Sequence, residues 1–129
     1  MNLLYIFQDP LGSDDSKAGK TSHPDVRLGV YQNSYSARSH LAQFDYAFYG
    51  SKKAVDNLEK AIKTAFDWDI EQDGRGFSEW IGYHTSTQVL EKVEEIIEGY
   101  RSKVTKVPAE FLPLNINNLD EFKEWLTTQ

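Results

Sequence analysis

Met1–Gln8 reads MNLLYIFQ, an apolar run closed by Asp9-Pro10-Leu11-Gly12. That length and that ending predict a buried strand followed by a turn. Ser13–Ser16 is polar and reads as loop, and Lys17–Thr21 (KAGKT) as a short second strand or its exit. Thr21-Ser22-His23-Pro24-Asp25 then carries the signs of a helix start: a hydroxyl cap, a proline in the first turn and an acid near the positive end of the dipole. Val26, Val30 and Leu28 give this helix its apolar side, and it should end near Asn33-Ser34.

Ala42–Tyr49 (AQFDYAFY) alternates, with Ala42, Phe44, Tyr46 and Phe48 facing one way, as in a strand with one buried face. Gly50 breaks it. Ser51 can cap a helix running to about Phe66, in which Ala54, Leu58, Ala61, Ile62 and Ala65 recur at helical spacing. Asp67–Gly76 is an acidic loop, and Phe77–Tyr83 is either a short strand or an aromatic plug. Ser86 or Thr87 should cap a helix through Tyr100, with Val89, Val93, Ile96 and Ile97 inward. Val104–Pro113 reads as a linker with two prolines. Asn118 followed by Glu121 resembles a capping box opening a last short helix through Leu126. The order predicts an α/β (α+β) domain: a small three-stranded, mainly antiparallel sheet flanked by helices. Residues 1–103 would form the domain, and 104–129 a linker and C-terminal helix packed on it.

The chain has 129 residues, enough for one core. It has no cysteine, so disulfides and thiolate zinc sites are excluded. No apolar run approaches the ~20 residues of a membrane span, and the N-terminus lacks the features of a signal peptide. A soluble, cytoplasmic protein is expected. The net charge is −6, unevenly spread: residues 1–63 carry 8 Lys/Arg against 7 Asp/Glu, and residues 64–129 carry 6 against 13. The first half can therefore still offer a face to phosphates, while the acidic second half could meet a protein partner.

Tyr5 in the first strand, Lys17 at the strand exit and an inward Arg27 on the first helix can converge on one face, and Glu59 on the next long helix can join them. Such groups suit phosphodiester hydrolysis, which needs a group to orient or deprotonate water, a cation against developing charge, and a carboxylate for a hard divalent ion. Here the chain resembles the GIY-YIG nuclease superfamily, in particular its divergent phage and mobile-element branch. Tyr5 fits the first motif's tyrosine, and Lys17-Ala18-Gly19 fits the Lys-Ile-Gly variant of the second. Arg27 falls eight residues after Gly19, and Glu59 sits where such proteins carry the helix glutamate. Phe77-Ser78-Glu79-Trp80 resembles the Glu-Trp-Phe block that closes this branch. The likeness spans roughly residues 3–97.

The resemblance implies a metal-dependent DNA endonuclease using one Mg²⁺ or Mn²⁺ ion. Tyr5 would be the general base or water-orienting phenol, Arg27 the phosphate-stabilising cation and Glu59 the metal ligand. Lys17 would favour the phenolate or contact phosphate, and Tyr31, one helical turn beyond Arg27, would assist the nucleophile. Lys20 and Arg38 would contact the nucleic acid. The bland alternatives stand beside these roles: a core tyrosine at Tyr5, an Arg27–Asp25 pair, a solvated glutamate at Glu59. A competing reading is a catalytically inactive GIY-YIG-like protein that binds or inhibits through nucleic acid or another protein.

Overall fold

The computed structural model describes residues 2–10, 14–34, 43–66, 80–100 and 103–129. Five strands form one antiparallel sheet in the order β4-β2-β1-β3-β5. They are β1 (Asn2–Gln8), β2 (Ser16–Thr21), β3 (Tyr46–Gly50), β4 (Trp80–Ile81) and β5 (Val104–Lys106). Four helices accompany them: α1 (Pro24–Ser34), α2 (Lys52–Ala65), α3 (Ser86–Tyr100) and α4 (Leu119–Thr127). The α/β class agrees with the sequence, but the sheet has five strands rather than three. The two extra strands are two and three residues long, too short to show any period. One of them, β5, lies inside the stretch that reads as a linker.

The central strand β1 is buried from Leu3 to Phe7 because helices cover both faces of the sheet. Side chains alternate across a strand. Leu3, Tyr5 and Phe7 therefore join Leu28 and Tyr31 of α1 and Phe122 of α4 in one core. Leu4 and Ile6 join Leu58 and Ile62 of α2 and Val93 of α3 in the other. Register fixes the rest: Tyr5 lies opposite Gly19 and Ala47, Leu4 opposite Lys20 and Phe48, and Phe7 opposite Lys17.

Several local expectations shift. In α1 the inward side is Leu28 and Tyr31, while Val26 and Val30 are exposed at 61% and 46%. The helix has apolar residues on both sides, and the sheet selects one. The expected alternation from Ala42 also breaks. Phe44 packs in the Tyr5 core, whereas Phe48 packs in the opposite one. Phe44 exchanges backbone hydrogen bonds with Leu114, and the Asp45 carboxylate accepts the Gln8 N–H at 2.8 Å. The chain bends at Asp45 between these two anchors.

Ser51 caps α2 as expected, its hydroxyl accepting the Ala54 N–H at 3.1 Å. The start of α3 is instead a capping box one residue earlier. The Thr85 hydroxyl accepts the Gln88 N–H, and the Gln88 side chain accepts the Thr85 N–H. Asn118 does not cap α4 with its side chain. It holds the preceding turn, accepting the Asn115 N–H and donating to the carbonyls of Phe111 and Pro113.

Candidate functional site

Three of the residues singled out for phosphodiester chemistry meet on the α1 side of the sheet. The hydroxyls of Tyr5 and Tyr31 are 2.6 Å apart. Both side chains are buried, Tyr5 fully and Tyr31 to within 6%. Phe44 stacks on the Tyr5 ring at 4.4 Å between centroids. The Lys17 ammonium lies 5.3 Å from the centroid of the Tyr31 ring and 5.5 Å from that of Trp80, within cation–π range. The β1–β2 register produces this group, since Lys17 opposite Phe7 shares the face of Tyr5. Replacing Tyr5 with Phe removes a buried hydrogen bond at nearly constant shape. The variant is expected to lose about 1–2 kcal/mol, read as a lower urea midpoint at unchanged m-value. An unaltered midpoint would show that the hydroxyl pair contributes nothing.

The second group lies on the opposite face. Lys20 is opposite Leu4 in the register and so points toward α2. Its ammonium is 2.9 Å from the Asp56 carboxylate and 3.7 Å from Glu59 Oε1. Lys63, one turn along α2, is 3.5 Å from the same Glu59 oxygen, and Lys52 is 2.9 Å from Asp56. The hydrogen bond from Lys20 holds Asp56 below the ordinary carboxylate range, helped by that from Lys52. Hydrogen bonding to Asp56 raises Lys20 in turn. Both partners of the Lys20–Asp56 pair are about a third or more exposed, so it adds little to stability.

Glu59 is different. Only 8% exposed, it leaves Oε2 buried with no hydrogen-bond partner. A buried, unsatisfied carboxylate oxygen costs free energy unless something binds it. Among the described residues no three His, Cys, Asp or Glu side chains gather as a metal-binding group. A hard divalent ion held by one carboxylate, completed by water and phosphate oxygens, needs no such group. The unpartnered oxygen of Glu59 fits that role.

Arg27 is exposed on α1 and forms no ion pair among the described residues. It does not point inward as expected, and it does not pair with Asp25. Arg38 lies outside the described residues, as do Phe77, Ser78 and Glu79 of the aromatic block. The expected single shared face is therefore divided. Tyr5, Lys17 and Tyr31 lie on one side of the sheet, and Lys20 and Glu59 on the other. Among the described residues β2 pairs with β4 at Ser16 and Lys17 alone, so its outer edge from Ala18 to Thr21 has no strand beside it.

Sequence reasoning missed Asp56, and it named Trp80 only within the closing block, not beside Lys17. The Lys52–Asp56 spacing of four was a signal on the helix, but the contact of Asp56 with Lys20 is tertiary. Trp80 reads as core, and its place beside Lys17 follows from the two-residue strand β4. No helix among the described residues is long and apolar enough to cross a membrane. No protein-family model, curated protein or solved structure matches the chain.

Proposed function

We propose that this chain is a metal-dependent DNA endonuclease of GIY-YIG type. The observation that carries the reading is Glu59, with one buried oxygen lacking any partner and the other between two ammonium groups. Glu59 would hold the ion through its unpartnered oxygen, and the ammonium groups of Lys20 and Lys63 beside the other oxygen would be available to phosphate charge. Magnesium or manganese bound there would polarise the phosphoryl oxygens and activate water. The chain's own groups divide the remaining work. Arg27, exposed and without an ion pair among the described residues, lies three residues into the helix that follows β2 and is available to a phosphate oxygen. Lys17 places positive charge beside Tyr31, which hydrogen-bonds Tyr5 and can hold or pass a proton. The scissile phosphate would lie beside Lys20 and Arg27, both exposed. Lys20 and the exposed Arg27 would steer the backbone toward it.

A second reading is favoured by one observation, the sheet standing between the phenol pair and Glu59. A GIY-YIG-like protein that binds nucleic acid or another protein without cutting would need no convergence of these groups. The acidic second half would suit such a protein-binding role. Incubation of supercoiled plasmid with the full chain separates the two. Nicked and then linear product in Mn²⁺ or Mg²⁺, suppressed by EDTA, is expected of the nuclease. Intact plasmid under every divalent ion would leave only the binding reading.

A further inference from the structure

We infer that the groove between α2 and α3 is a docking site for an acidic amphipathic helix of a protein partner. The groove has a volume of about 1050 Å³. Ala54, Ala61 and Ala65 of α2, with Ile96 and Gly99 of α3, form a floor of small and apolar groups. Separations of seven and four on α2, and of three on α3, place each set on one helical face. Lys53 and Lys60 of α2, Lys92 of α3 and Lys103 beyond it supply a cationic rim. Among the described residues the lining holds a single acid, Glu95, which sits 3.4 Å from Lys92. Lys53, Lys60 and Lys103 form no ion pair among the described residues. On a chain of net charge −6, this local excess of lysine specifies an anionic occupant.

Geometry then chooses among anions. Bases of a single strand stack on aromatic rings, and among the described residues none that lines the groove is aromatic. A duplex would touch the lysine rim but leave the floor of Ala61, Ile96 and Gly99 uncovered. A helix is about 10–12 Å across with its side chains, and small residues let it settle closely between two others. Its apolar ridge would cover Ala61, Ile96 and Gly99, and its flanking carboxylates would meet the lysine rim. This groove lies on the far side of the sheet from Tyr5 and Tyr31, so the inference stands whether or not the chain cleaves DNA.

The test uses the isotope-labelled full chain and three titrants followed by NMR: a synthetic helix of Leu and Glu with its leucines along one face, its Leu and Lys counterpart, and a short DNA duplex. The acidic helix is expected to shift the amides of Ala61, Ile96 and Gly99 and to leave those of β1 in place. Lys53→Glu with Lys60→Glu should weaken it by about tenfold or more and strengthen the basic helix. Gly99→Leu offers an independent variant, because a Cβ there meets nothing within 4 Å. It should fold normally and weaken the acidic helix by filling the floor. The inference is overturned if the acidic helix leaves the groove amides unmoved, if the duplex shifts them instead, or if neither variant alters the affinity.

Discussion

A chain ending at Lys103 is expected to lose cooperative folding altogether. The residues removed contribute Val107, Phe111, Leu114, Leu119 and Phe122 to the core on the Tyr5 side. At about 1.5–3 kcal/mol for each buried apolar side chain, the loss is on the order of 10 kcal/mol, the scale of a whole domain's stability. The deletion also removes β5 from the edge of β3 and strips the cover from Phe44, Tyr49 and the ring of Tyr5. The 26 residues are thus part of the fold, not an appendage. The shortened chain should show no near-ultraviolet circular dichroism and no sigmoidal urea transition. A milder probe, Phe122→Ala in the full chain, should cost about 3–5 kcal/mol, since that ring is fully buried against Tyr49, Phe111 and Trp125. A truncated chain that still unfolds cooperatively would show that residues 104–129 are dispensable.

Glu59→Ala is the second large effect, and it should separate activity from stability. If the carboxylate holds the divalent ion, plasmid cleavage should fall by about a thousandfold, the several kcal/mol that a metal supplies against developing charge. The same change removes a buried oxygen with no partner, so the thermal midpoint should stay level or rise rather than drop. Arg27→Ala should also cut cleavage sharply while leaving stability unchanged, because the residue is exposed and forms no ion pair among the described residues. Cleavage that survives both substitutions would remove Glu59 and Arg27 from the site. A large loss of stability in Glu59→Ala would mean that the carboxylate is structural.

How much was legible depended on whether the deciding contact was local. Strand β1 could be read from five apolar residues ended by a proline–glycine turn. Helix α2 could be read from Ser51 and the helical recurrence of Leu58 and Ile62. Strand β5 could not, because three residues carry no period, and β4 was legible only as one of two alternatives for Phe77–Tyr83. The swap of Phe44 to the other face needed the Leu114 pairing, 70 positions away in the chain. The position of the α3 cap was blurred by three successive hydroxyl residues, Thr85, Ser86 and Thr87, and Gln88 decides among them. In the candidate site, the parity of β2 already separates Lys17 from Lys20, since residues three apart on a strand face opposite ways. That Tyr5 follows Lys17 is register. That Glu59 follows Lys20 depends on α2 packing over Leu4 and Ile6, which nothing local in the sequence states.

Manganese-induced broadening in the NMR spectrum of the full chain is the most direct test of the proposal that Glu59 holds a divalent ion. The amides of Glu59, Lys63 and Lys20 should broaden first as Mn²⁺ is added at low stoichiometry, and Glu59→Gln should abolish the effect. Broadening confined to the exposed acids of α3 and α4, unchanged by Glu59→Gln, would contradict it.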